Sequence, residues 1–112
     1  MSRANFDRIN NLVPYVITLK GLKPSKRKVL LDLANKEQVR AFEEVALNIF
    51  KNTVQLSEED AKICRRWRKP LRLLALKRYP VKEKKQILQQ GGFLGALLPV
   101  IATVLITLLN NG

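Results

Sequence analysis

Lysine and arginine are the residues whose number and spacing could do chemistry in this chain, and they concentrate in one segment. The 112 residues include 21 Lys and Arg against nine acids, for a net charge of +12. Residues 62–85 hold eleven of these cations and one acid, Glu83. A dense run of cations attracts polyanions and releases their counterions, with little discrimination between bases. The segment therefore predicts nucleic acid or an anionic membrane surface as partner, with a merely soluble basic protein as the bland alternative.

A helix that starts after Ser57 would place these cations away from its apolar side chains, as a cationic ridge. A second basic cluster lies in the turn at residues 23–28, which also suits a short nuclear-import signal. Trp67 stands among the cations; its place in the apolar stripe favours a core position, with base stacking as the alternative. The predicted nucleic-acid-binding residues are Lys23, Lys26, Arg27, Lys28, Lys62, Arg65, Arg66, Arg68, Lys69, Arg72, Lys77, Arg78, Lys82, Lys84 and Lys85.

Catalytic chemistry has little support. The chain has no histidine and one cysteine, Cys64, so the usual general base, a zinc site completed by histidine and an internal disulfide are missing. A single thiol suits a reducing compartment, the cytosol or nucleus. The acidic residues Glu43 and Glu44 fall where a solvated helix face is expected, and no glycine-rich phosphate loop occurs. We expect no catalytic residue, no metal, no cofactor and no enzymatic activity.

The first third of the chain predicts two helices. Apolar residues recur at helical spacing over residues 5–20, although Pro14 removes an amide donor and should bend or split that helix. Ser25 is a candidate cap for a second helix that runs through Leu33.

The remainder of the body predicts helices with clearer starts. Asn35 and Gln38 form a capping-box pattern, and Ser57 caps the helix that carries the ridge. Pro70 should kink that helix or end it one residue early, and Pro80 is well placed as the first residue of a short helix through Leu88. No stretch alternates as a strand does. The fold class is therefore all-α: a small bundle of four to five short helices plus a C-terminal hydrophobic helix.

The C-terminal region differs sharply in composition from the rest. We predict a basic helical domain over residues 1–90, and a Gly-Gly junction followed by a hydrophobic tail over residues 91–112. Residues 93–109 are uncharged; at about 1.5 Å per residue they span roughly 25 Å, slightly less than the hydrocarbon core of a bilayer. Two placements stay open: insertion as a tail anchor, with the cations on anionic lipid, or burial in the bundle or a larger assembly. The N-terminus has no apolar segment, so no cleaved signal peptide is expected.

The junction also resembles a known family. Basic residues, then Gly91-Gly92, then Phe93-Leu-Gly-Ala-Leu-Leu-Pro-Val-Ile-Ala are similar to the precursor of the adenovirus core peptide mu (protein X) over about residues 77–106. Nearly the whole chain, including residues 39–50 and 72–77, resembles small basic proteins of Polinton/Maverick elements and adintoviruses.

This resemblance implies a basic core protein, encoded by a virus or transposon, that binds and condenses double-stranded DNA without sequence specificity. It implies a location in the virion and host nucleus, with the tail contacting a capsid protein or a membrane. A viral cysteine protease is implied as a further partner, with Gly91, Gly92 and Phe93 as the candidate cleavage site. A tail-anchored or membrane-active protein that binds anionic lipid is the alternative function.

Overall fold

Caps and prolines divide the described part of the chain into seven helices. The computed structural model describes residues 2–111 and contains no strand among them. The helices are α1 (Arg3–Lys20), α2 (Pro24–Asp32), α3 (Lys36–Phe50), α4 (Glu58–Arg66), α5 (Arg68–Ala75), α6 (Val81–Leu88) and α7 (Phe93–Asn111). The predicted all-α class and the C-terminal apolar helix are confirmed. The predicted number of helices was too low, since six helices precede α7 instead of four or five.

Two predicted helix starts are confirmed in atomic detail. The Asn35 side chain accepts a hydrogen bond from the amide of Gln38 at 2.8 Å, and the Gln38 side chain accepts one from the Asn35 amide at 2.9 Å. The Ser57 hydroxyl accepts a hydrogen bond from the amide of Asp60 at 3.1 Å. Each cap satisfies amides that the first helical turn leaves without a partner.

Three prolines refine the predicted helix boundaries. Pro14 does not split α1, which was one of its two predicted effects. The helix packs against α3 and α7, and its buried residues lie on both sides of the proline. α2 starts at Pro24, with Lys23 at the cap and no capping by the Ser25 side chain, since a proline at the first helical position already has the required φ. Pro80 is the cap of α6, and Val81 is its first residue.

The predicted ridge helix is two helices, with the break at Trp67. The φ and ψ angles of Trp67 are −105° and 25°, outside the α-helical range. A proline ring clashes with the carbonyl four residues before it, which for Pro70 is that of Arg66, the last residue of α4. Pro70 thus lies in the first turn of α5, where its missing amide costs nothing. The break therefore falls at Trp67, whereas we predicted a kink at Pro70 or a helix end one residue before it.

The hydrophobic tail packs as α7 against α1, α3, α4 and α6. Four of its side chains, Phe93, Leu97, Val100 and Val104, are fully buried and belong to the same core as the stripes of α1 and α3. The window Phe93–Asn110 is apolar and long enough to cross a membrane, with a mean hydropathy of 2.2, and half of it is buried. Burial of each large apolar side chain contributes about 1.5–3 kcal/mol, so α7 is a major source of stability for the bundle.

Candidate nucleic-acid interface

The cations of α4 and α5 all lie on the outside of the bundle. The apolar stripe of this segment, which includes Leu71 and Leu74, is buried against the core. The basic residues that surround the stripe are exposed: Lys62, Arg65, Arg66, Arg68, Lys69 and Arg72. Within residues 2–111, none of these six forms an ion pair with an acidic side chain. Their charge is therefore available to an external anion.

Two basic clusters meet at the turn before α7. Arg65, Arg66, Arg68 and Lys69 line a groove that also includes Gln90 and Gly91. Arg27 and Lys28 of α2 line a neighbouring cavity, which likewise includes Gln90 and Gly91. Because the same two residues border both concavities, the clusters lie on either side of one turn. We call these six cations the junction surface: Arg27, Lys28, Arg65, Arg66, Arg68 and Lys69.

Trp67 joins the junction surface to the core. Its ring packs edge-on against Phe93, with the centroids 5.8 Å apart, and it lies beside Gly92. The Arg66 guanidinium is 6.0 Å from the Trp67 ring centroid, a cation–π arrangement. Trp67 is half-buried and also lines the groove. It packs against the core as predicted, yet one part of the ring remains open to a ligand.

Lys84 does not belong with the other predicted binding residues. Its side chain is 1% exposed, and its Nζ lies 2.5 Å from a carboxylate oxygen of Glu43, which is also buried. A buried lysine paired in this way cannot reach a phosphate, so its assignment as a binding residue was wrong. The prediction that Glu43 lies on a solvated face was wrong for the same reason.

Three other predicted binding residues have partners within the bundle but still reach the surface. Lys77 lies 3.8 Å from a carboxylate oxygen of Glu44. Lys85 donates a hydrogen bond to the Asp32 carbonyl at 2.7 Å, and Arg27 donates one to the Leu19 carbonyl at 2.9 Å. The remaining predicted residues outside α4 and α5 are exposed: Lys23, Lys26, Lys28, Arg78 and Lys82.

Sequence reasoning missed the glutamines at the end of α6. The Gln89 side chain donates a hydrogen bond to the Lys28 carbonyl at 3.0 Å and so ties the turn before α7 to α2. Gln90 borders both basic concavities. Both residues are uncharged and lie outside the apolar stripe of α6, so nothing in the sequence marked them as part of a binding site.

The candidate cleavage residues have contrasting environments. Gly91 and Gly92 are exposed, and Gly92 has a φ of +82°, which a residue with a side chain rarely adopts. Phe93 is fully buried against Trp67. Cleavage between Gly92 and Phe93 stays a prediction, and it would require the start of α7 to leave the core.

Cys64 has the environment of a structural thiol. Burial raises the pKa of the Cys64 thiol, and the nearby Asp60 carboxylate raises it further. The thiol form, which is a poor nucleophile, is therefore favoured at neutral pH.

No family model, no curated protein and no solved structure matches this chain.

Proposed function

We propose that this protein binds double-stranded DNA without sequence specificity, through the junction surface. The observation that carries the proposal is the arrangement of two basic clusters that reach the surface on either side of Gly91, with the cations of α4 and α5 free of acidic partners among residues 2–111. Such a surface presents several charges at once to a phosphate backbone.

The binding energy comes from charge neutralisation. Each Lys or Arg that approaches a phosphate releases condensed counterions, and this entropy gain falls as salt rises. The exposed guanidinium groups of Arg65, Arg66 and Arg68 can each bind a phosphate with two hydrogen bonds. Because contacts of this kind involve the backbone and not the base edges, they hold the duplex without reading its sequence.

A pair of charge-reversal variants tests the proposal. In the first, Arg66, Arg68 and Lys69 are changed to Glu; in the matched control, the exposed residues Arg3, Lys36 and Lys51 are changed to Glu. Both variants have the same net charge. We expect the first to lose duplex binding in a fluorescence anisotropy titration and the control to keep most of it. Equal losses in the two variants would show that net charge alone, and not the junction surface, attracts DNA.

Binding to anionic membranes is the second candidate function. It is favoured by the length and hydropathy of α7, and by the exposed Ile106 on its outer side. The packing of α7 in the core counts against insertion of this helix from the folded state. Flotation with vesicles of phosphatidylserine and phosphatidylcholine tests this function. A membrane-binding protein should float with the vesicles in the absence of DNA, and a protein that stays at the bottom of the gradient would contradict this function.

A role in packaging a viral or transposon genome is a further part of this proposal, and its support is the resemblance of the junction and of residues 39–50 and 72–77. Condensation of DNA, a location in the virion and nucleus, and contacts with capsid protein or protease have the same basis. They stay predictions.

A further inference from the structure

A cavity of about 340 Å³ lies between α2, the turn before α7 and the first turn of α7. Its polar lining comes from Ser25, Arg27, Lys28 and the two glutamines that follow α6, and no acidic side chain contributes to it. The first turns of α2 and α7 also contain no acidic residue. The cavity is therefore positively charged, with nothing in its lining to neutralise that charge.

Arg27 is held in place at this cavity. Its Nε donates a hydrogen bond to the Leu19 carbonyl at 2.9 Å. Its Nη1 lies 3.0 Å from the point that a Cβ on Gly95 would occupy, so the guanidinium rests against α7 where glycine leaves room for it. An arginine has five N–H donors, and its Nη groups are planar and suited to a tetrahedral oxyanion. A guanidinium already held in position loses little further freedom when it binds.

Gly91 leaves the cavity open on the side of the α4–α5 groove. A Cβ built on Gly91 meets no atom within 4 Å, and Gly91 borders both concavities. A chain of phosphates that crosses the junction surface would therefore pass directly over the cavity. The geometry points to one phosphate of that chain as the group that fits it.

We propose that this cavity is a discrete phosphate-binding site, with Arg27 as its anchoring residue and Lys28 as a second cation. The inference rests on the proposed function for its natural ligand, a backbone phosphate of bound DNA. It adds a specific claim: one phosphate is bound in a built pocket, whereas the others meet exposed cations on the surface.

Gly95→Ala tests the pocket without changing the charge of the protein. The new methyl group would lie 3.0 Å from Nη1, tighter than an ordinary contact, so the guanidinium must shift by a few tenths of an ångström from the position in which it is held. The end of a long side chain can make this shift without unfolding α7. Gly21→Ala is the matched control, because a Cβ there makes ordinary contacts with the Thr18 and Ile17 carbonyls outside the cavity. Arg27→Lys keeps the charge but removes the planar fork.

The probe is inorganic phosphate, added to the whole chain against sodium chloride of equal ionic strength. We expect the Nε–H signal of Arg27 in a proton–nitrogen NMR spectrum to shift and saturate in the original protein and in Gly21→Ala. In Gly95→Ala and Arg27→Lys, phosphate binding is followed through the backbone amide signals of Gly91 and Lys28. We expect the phosphate affinity of both variants to be about tenfold lower, as for the loss of a hydrogen bond to a charged group.

Two results would overturn the pocket. One is equal phosphate affinity in Gly95→Ala and Gly21→Ala; the other is a phosphate response spread evenly over all surface cations with no saturation. If either occurs while duplex DNA still binds, the pocket fails and the proposed function stands. If phosphate saturates the Arg27 signal but duplex DNA does not bind, the pocket stands and the proposed function fails.

Discussion

The α4–α5 segment and α6 are both rich in cations, yet the bundle uses them in opposite ways. Every Lys and Arg of α4–α5 is exposed, because the inward positions are held by apolar side chains such as Leu71 and Leu74. In α6 the inward positions are Lys84, Ile87 and Leu88, at the spacing of one helical face. A lysine on the inward face must find a counter-ion, and Glu43 of α3 supplies it.

The comparison shows that charge density along the chain does not by itself define an interface. The position of a cation on its helix decides whether it contributes to binding or to stability. Cations of α4–α5 should affect DNA affinity and leave the fold intact, whereas Lys84 should affect the fold and leave intrinsic affinity intact. Substitutions in the two regions can separate these effects.

Lys84→Ala should give the largest change in stability. It leaves the Glu43 carboxylate buried without its partner, which typically costs about 3–5 kcal/mol of unfolding free energy. Urea denaturation followed by circular dichroism measures the loss, and DNA affinity corrected for the folded fraction should not change. A midpoint equal to that of the original protein would mean that the pair is not desolvated.

The double change Lys84→Met with Glu43→Leu sharpens the same point. Replacement of a buried ion pair by apolar side chains of similar size is often neutral or stabilising by about 1–4 kcal/mol. We expect the double variant to recover at least the stability that Lys84→Ala loses. Failure to recover would assign the loss to the lysine stem and its packing, and not to an unpaired charge.

Trp67→Ala lies on the boundary between the two regions. Loss of the ring removes its contacts with Phe93 and Gly92, and truncation of a packed aromatic costs about 3 kcal/mol or more. Because Trp67 also positions the start of α5, DNA affinity should fall as well. Trp67→Phe is the control, with a smaller loss in both measurements. A fully stable Trp67→Ala that binds DNA poorly would make Trp67 a stacking residue and not a core residue.

Arg66→Gln should change binding and cost at most about 1 kcal/mol of stability, which includes the loss of its cation–π contact with Trp67. If Arg66 neutralises one phosphate, the slope of log Kobs against log salt should become less steep by about 1. The exposed Lys51 offers the matched control, since Lys51→Gln removes the same charge away from the junction surface. An equal change in slope for Lys51→Gln would contradict the localisation of binding.

The smallest expected effect concerns Tyr15, which fixes α2 and its basic cluster. The Tyr15 hydroxyl donates a hydrogen bond to the Leu30 carbonyl at 3.0 Å, and burial raises the pKa of Tyr15 to about 12. Since this pKa exceeds the unfolded value of 10.0, the contribution to stability is complete below pH 10 and is lost as pH rises towards 12. Tyr15→Phe should lack this component of the alkaline loss, as measured by denaturation at a series of pH values.

Local signals predicted much of this fold. The caps at Asn35 and Ser57 act within one helical turn, so the residues that decide them are adjacent in the sequence. The location of α7 was not predictable in this way, because a segment that is apolar on all sides satisfies a membrane and a protein core equally well. The break before Pro70 was misplaced because the clash involves the carbonyl four residues earlier and not the preceding residue.

The binding residues were harder to predict than the helices. Fourteen of the fifteen assigned cations reach the surface at least in part, but Lys84 pairs with an acid 41 residues away in the chain. The spacing of Lys84 with Ile87 and Leu88 places it on the inward face of α6, but nothing within α6 identifies Glu43 as its partner. The convergence of α2 with α4–α5 at Gly91 likewise depends on how the helices pack, and the sequence contains only the two basic clusters.

The salt dependence of duplex binding by the whole chain tests the central claim most directly. Fluorescence anisotropy with a labelled duplex of arbitrary sequence, from about 50 to 200 mM salt, gives log Kobs against log salt. If the junction surface neutralises about five phosphates, the plot should be linear with a slope near −4.5, and a second unrelated duplex should give the same line. An affinity that stays constant over this range, or no binding at the lowest salt, would contradict the account.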